Sequence, residues 1–167
     1  MKTIIIISSL IISQAAFAQL NVKLYGYSQE VTPGMVPQRD IPDENNGGRV
    51  LKTPAVTTFY YVYTRTSVLI QPDEIWIGGK WHVATTKLVK ATPVVTEYPA
   101  KKTLVPFTKL KVQVIERGDT LTNTAFITPA LKKMMTANEL IISYTWKGKK
   151  NYAVLTELTV LETIHEQ

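Results

Sequence analysis

Apolar and polar residues alternate along much of this chain, and the alternation has the period of a strand. Residues 20–27 set Leu20, Val22 and Leu24 against Asn21 and Lys23, which predicts a half-buried strand. From Thr57 to Ile70 the run is rich in Thr, Tyr, Phe, Val and Ile, residue types that suit a pleated, half-buried surface. Glu74–Ile77 and Lys80–Val89 flank Gly78-Gly79, a pair that supplies the positive φ angles of a two-residue hairpin turn. That turn pairs Ile77 with Lys80, Trp76 with Trp81 and Ile75 with His82, and places Glu74 opposite Val83. Leu104–Glu116 and Thr120–Ile127 flank Arg117-Gly118-Asp119, which reads as a second hairpin. A third joins Leu140–Trp146 to Asn151–Glu162 around Lys147-Gly148-Lys149. In it Leu140, Ile142, Tyr144 and Trp146 share a face, as do Tyr152, Val154, Leu158 and Val160 on the return strand. The helix signal is confined to Thr128-Pro129, an N-cap followed by proline at the first helical position, with one or two turns over Ala130–Met135. Seven to nine short strands separated by turns predict an all-β sandwich.

Two segments break the pattern. Lys2, the apolar run Ile4–Ile12 and Ala16-Phe17-Ala18 make the three parts of a secretory signal peptide over residues 1–18, with Gln19 as the first mature residue. The run is too short for the roughly 20 residues of a spanning helix, and no transmembrane segment is expected in the mature chain. Residues 28–56 hold Pro33, Pro37, Pro42 and Pro54 around Asn45-Asn46-Gly47-Gly48. Prolines remove backbone donors and disfavour helix and central strand alike, so this stretch is expected to be a linker, a long loop or an extended arm. The expected organisation is a signal at 1–18, an N-terminal strand plus arm at 19–56, and a β-sandwich domain at 57–167.

Composition narrows the chemistry. There are no cysteines, so neither a disulfide nor a lipoprotein signal is expected, and the core must stabilise the domain unaided. The formal net charge is +6, of which Lys2 leaves with the signal. Lys101-Lys102, Lys132-Lys133 and Lys147-Gly148-Lys149-Lys150 serve solubility and edge protection, or attract anionic partners such as lipopolysaccharide, peptidoglycan or acidic proteins; the first reading is preferred. Dispersed basic residues without a motif argue against a nucleic-acid partner. His82 and His165 are the two histidines, too few for a zinc site of the common kinds. The hairpin register separates Glu74 from His82, and no nucleophile elbow or phosphate-cradling loop is present. No catalytic residue, metal or cofactor is expected. The pointed feature is Trp76 opposite Trp81: an aromatic platform for a sugar or a partner protein, or a core plug against the second sheet. Tyr60, Tyr61 and Tyr63 carry the same two readings. The expected binding residues are Trp76, Trp81, Pro33, Pro37 and Pro42.

Residues 112–161 add a resemblance. The order is a strand, Arg117-Gly118-Asp119-Thr120, Phe126-Ile127-Thr128-Pro129, a helical turn over Leu131–Met135, the strand Leu140–Tyr144, the Lys147-Gly148-Lys149 turn, and Val154–Val160. It resembles the C-terminal immunoglobulin-like domains of the periplasmic shaft protein of gliding motility and type IX secretion in the Bacteroidota. The chain is expected to carry a cleavable signal where the shaft has a transmembrane anchor, and to lack the shaft's additional domains. The resemblance implies an immunoglobulin-like sandwich, so the expected fold is an antiparallel immunoglobulin-like β-sandwich with the one short helix and the long proline-rich loop or arm read above. It further implies a non-enzymatic interaction module of the periplasm or outer membrane of a Gram-negative bacterium, with an envelope complex or outer-membrane protein as partner. The alternative is a carbohydrate- or ligand-binding surface protein that uses an exposed tryptophan pair.

Overall fold

A computed structural model describes residues 20–33, 56–97 and 100–165. The expected signal at 1–18, Gln19, and the arm from residue 34 to residue 55 with Pro37 and Pro42 lie outside the described residues. The structure is mostly β-sheet. In chain order come β1 (Lys23–Thr32), β2 (Thr57–Thr66), β3 (Pro72–Ile77), β4 (Lys80–Leu88), β5 (Val94–Glu97), β6 (Ala100–Thr103) and β7 (Lys111–Thr120). Helix α1 (Pro129–Ala137) follows, then β8 (Leu140–Trp146), β9 (Lys149–Leu155), β10 (Thr159–Val160) and β11 (Ile164–His165).

One ladder runs β10-β1-β2-β7-β4-β3-β8-β9, with β11 also on β1, and β5-β6 form a separate hairpin. Every pairing in the ladder is antiparallel except those of β10 and β11, which run parallel to β1. The sheet curls until its two ends meet. A Cβ built on Gly26 would lie 2.6 Å from Leu158 Cδ2 and 3.0 Å from the Cδ2 atoms of Leu140 and Leu155. The backbone of β1 therefore rests directly on leucines from the far end of the sheet, and only a residue without a side chain fits.

Alternation sorts the faces. The inward side chains Leu24, Val62, Ile75, Ile77, Ala84, Ile115, Leu140, Ile142 and Tyr144 form the central core. Two satellite clusters cover the outside of the sheet. Tyr25, Tyr27, Tyr61 and Tyr63 point outward from β1 and β2 and pack with Leu104, Leu161 and Val95. Tyr27 donates its hydroxyl to the Leu104 carbonyl, and burial, reinforced by the neighbouring Tyr25, raises its pKa. On the other flank α1 and the 121–127 loop lay Leu131, Phe126 and Ile127 over Trp81 and Ile141. The helix starts as expected: the Thr128 hydroxyl accepts from Leu131 N at 3.2 Å and Pro129 occupies the first turn.

Three expectations need correction. Arg117-Gly118-Asp119 is no turn, because β7 runs straight through it and pairs with β4 on both sides. The register shifts by one residue opposite Val83, and a Cβ on Gly118 would meet the Val83 carbonyl oxygen at 3.5 Å. The glycine marks a β-bulge, the other structure in which glycine breaks a strand pattern. In the last hairpin Lys147 and Gly148 both have positive φ and form a two-residue turn that pairs Trp146 with Lys149. Counting from that turn, Ala153 and Leu155 face the core, while Tyr152 and Val154 face outward. Residues 28–32, read as the start of the arm, complete β1, and Ser28 to Val31 pair with β2. His165 lies in β11 beside Thr32, with Nδ1 2.6 Å from the threonine hydroxyl.

Candidate functional site

The Gly78-Gly79 turn has the register that a two-residue loop dictates: Ile77↔Lys80, Trp76↔Trp81, Ile75↔His82 and Glu74↔Val83. Both glycines have positive φ, 59° and 75°. Ile75 and Ile77 point into the core, so Trp76 and Trp81 stand together on the outer face, ring centroids 5.7 Å apart and planes tilted by 46°. The two indoles then part company. Trp81 is 2% exposed, pinned beneath α1 with Phe126 edge-on at 5.5 Å. Trp76 is half-buried. An exposed tryptophan pair is therefore absent: Trp81 is a core plug, and Trp76 alone reaches the surface.

Trp76 borders a cleft of ≈ 430 Å³ at the mouth of the curled sheet. The mouth is built from inward-facing residues that lie past the core. Ser28 and Glu30 continue the inward phase of Leu24 and Gly26 along β1; Thr58 and Tyr60 do so on β2. Glu139 enters just before β8, and Glu157 and Leu158 follow β9. Glu139 is held in place by accepting from Leu158 N at 2.7 Å. Tyr60 separates this cleft from an apolar slot of ≈ 300 Å³ that opens where β2 and β7 diverge, floored by Ile75 and Ile77. Arg117 stacks over the Tyr60 ring at 5.0 Å and closes the slot's rim. Gly78 keeps room for the Tyr60 hydroxyl, which a Cβ there would approach to 2.7 Å.

Three carboxylates beside an indole and a phenol form an anionic, aromatic-walled concavity on a basic protein. Such a surface attracts a cation twice, through charge and through the ring faces. Glu74 and His82 do not meet. Glu74 accepts from the Ser143 hydroxyl and pairs with Lys150 at 2.8 Å. His82 is buried, its Nδ1 3.3 Å from the Thr120 hydroxyl. Among the described residues no group of three or more His, Cys, Asp or Glu is close enough to hold a metal ion. No helix among them is long and apolar enough to cross a membrane.

Of the residues expected to bind, Trp76 lies in the cleft, Trp81 lies buried beneath α1, Pro33 follows the end of β1, and Pro37 and Pro42 fall outside the described residues. Sequence reasoning missed Glu30, Glu139, Glu157 and Tyr60 as a group. The signal for Glu30 was present: it shares the inward phase of a strand whose other members are apolar or small. Tyr61 and Tyr63 belong to the outer tyrosine cluster. Comparison with protein-family models, with curated proteins and with solved structures finds no match to this chain.

Proposed function

We propose that this chain is a non-catalytic protein-interaction module of an exported envelope assembly, and that the Trp76 cleft receives a lysine- or arginine-bearing segment of its partner. The observation that carries the reading is the convergence of Glu30, Glu139 and Glu157 with Trp76 and Tyr60 at one mouth of the sheet. A cationic side chain placed there gains cation–π contact with an indole, the best ring for it, while carboxylates surround its charge. The exported setting rests on the signal-like N-terminus, and an outer-membrane or periplasmic protein is the partner class that follows from it. In this reading the two facing ends of the curled sheet act as the layers of an immunoglobulin-like sandwich, a rigid frame that presents the cleft.

The test is affinity capture from detergent-solubilised envelopes of the native host, with the parent chain and with Trp76→Ala. One protein recovered by the parent and lost with Trp76→Ala supports the reading. Recovery that is unchanged by Trp76→Ala and by Glu30→Gln with Glu157→Gln refutes it. A glycan array bound by the parent and lost with Trp76→Ala would replace it with the carbohydrate-binding alternative, reduced from a tryptophan pair to one indole.

A further inference from the structure

The register of the sheet places the charged residues unequally at its two ends. At the cleft end stand Glu30, Glu139 and Glu157. The opposite end is formed by the start of β1, the 67–71 loop, the close of β4, the start of β7 and the β8–β9 turn. Lys90, Lys109, Lys111 and Lys147 come from these segments. The acidic groups nearby are already engaged: Asp73 accepts from the Thr145 hydroxyl at 3.1 Å, and Glu74 is paired with Lys150.

The same end carries apolar side chains that the fold does not cover. Phe107, in the loop leading into β7, is 87% exposed, and Leu69, Leu88 and Leu110 are 54%, 50% and 47% exposed. Ordered backbone joins their segments: Val89 N donates to Val112 O at 2.9 Å, and Gln113 bonds both the N–H and the C=O of Ile70 at 2.9 Å. Leu69, Leu88 and Leu110 thus sit beside residues tied together at one rim, and Phe107 lies three residues before Leu110 in the loop that enters it. Exposed phenylalanine and leucine with lysines on the same segments is a composition that suits a headgroup layer. The apolar tips gain burial below the phosphates, and the long lysine stems let the ammonium groups remain among them.

We propose that this basic, apolar-tipped end docks on an anionic lipid surface, with Phe107 as the inserted anchor and Lys90, Lys109, Lys111 and Lys147 on the lipid phosphates. The occupant follows from charge: a neutral apolar partner would not require the lysines, and a soluble anion would not require Phe107. The orientation points the acidic Trp76 cleft away from the membrane, toward a partner protein.

Vesicle flotation tests this, using the full chain in its exported form with the same N-terminus in every variant. The probe is phosphatidylcholine vesicles with and without a fraction of phosphatidylglycerol. The parent is expected to float with the anionic vesicles, less so as salt is added. Phe107→Ser is expected to weaken partitioning about tenfold or more. Lys109→Gln and Lys111→Gln are each expected to weaken it roughly fivefold. All three should keep the parent's melting transition. Lys109→Glu with Lys111→Glu retains every apolar group and should abolish flotation. Equal binding to neutral and anionic vesicles, or binding that survives Phe107→Ser, would overturn the proposal. So would absence of vesicle binding together with self-association lost in Phe107→Ser, which would make the tip a contact between copies. Capture of a partner through the Trp76 cleft is a separate readout, so either function can fail without the other.

Discussion

Trp76 and Trp81 face each other across one hairpin and should behave in opposite ways when truncated. Trp81 is 2% exposed, packed by Phe126 at an interplanar angle of 80° and by Trp76, with Leu131 and Ile141 closing the cluster. Trp→Ala at such a site costs about 3–5 kcal/mol, the transfer of the indole plus the cavity left behind. Against a typical domain stability of about 5–15 kcal/mol that is a large share. The Trp81 Nε1 is buried and meets no acceptor among the described residues, so Trp81→Phe forfeits no hydrogen bond and should cost about 1 kcal/mol in lost volume. Trp76 is half-buried, and its truncation should cost about 1 kcal/mol, the order of one aromatic contact. Urea unfolding followed by far-ultraviolet circular dichroism measures all three without relying on tryptophan emission. Partner capture should show the reverse ranking: lost with Trp76→Ala, retained with Trp81→Phe. Equal destabilisation by Trp76→Ala and Trp81→Ala would refute the division between core plug and binding residue. So would a Trp81→Ala protein less than about 1 kcal/mol below the parent.

Gly26→Ala should destabilise by about 1–3 kcal/mol through overpacking against Leu140, Leu155 and Leu158. Leu158→Ala should offset part of that cost in a double-mutant cycle read by urea unfolding; a cycle with no coupling would contradict the contact. Thr128→Ala should cost about 1 kcal/mol, since the hydroxyl satisfies Leu131 N at the head of α1, and calorimetry should show a lower Tm. Stability should hold below pH 10 and fall above it. Burial raises the pKa of Tyr144 above its usual 10.0, and burial reinforced by the charges of Tyr61 and Tyr27 does the same for Tyr63. At Lys150 burial acts downward, but the hydrogen bond and charge of Glu74, with Tyr152 and Asp73, outweigh it and the net shift is upward from 10.5. Each of these groups holds its proton to higher pH folded than unfolded. Their contributions are therefore complete below the unfolded values and are lost as pH rises through the folded ones. Tyr144→Phe should flatten the alkaline limb of a stability–pH curve, and an unchanged limb would count against it.

The elements visible in the sequence are those whose cause is local. A positive φ at Gly78 and Gly79 is a property of the dipeptide, so the turn and the four pairs counted from it could be written down without coordinates. The Thr128 cap depends on residues three apart, and its hydroxyl needs only the next turn of chain. Alternation in residues 20–27 and 57–70 reports a face that must be buried somewhere, whatever buries it. The turn at Lys147 was located but its length was not, and one residue of difference moves Tyr152 and Val154 from the inner face to the outer. Gly118 reads as a turn in the sequence, and only the strand opposite it, with Val83 35 positions earlier, makes it a bulge. The same dependence on distant chain separates Trp76 from Trp81. Their sequence surroundings are alike, yet Leu131 and Phe126 arrive over one and leave the other at an open mouth. Glu30, Glu139 and Glu157 come together because the sheet curls and brings its first strand against its last. Local chemistry sets which conformations each segment prefers. Closure of the sheet sets which side chains meet, and it depends on contacts between residues more than a hundred positions apart.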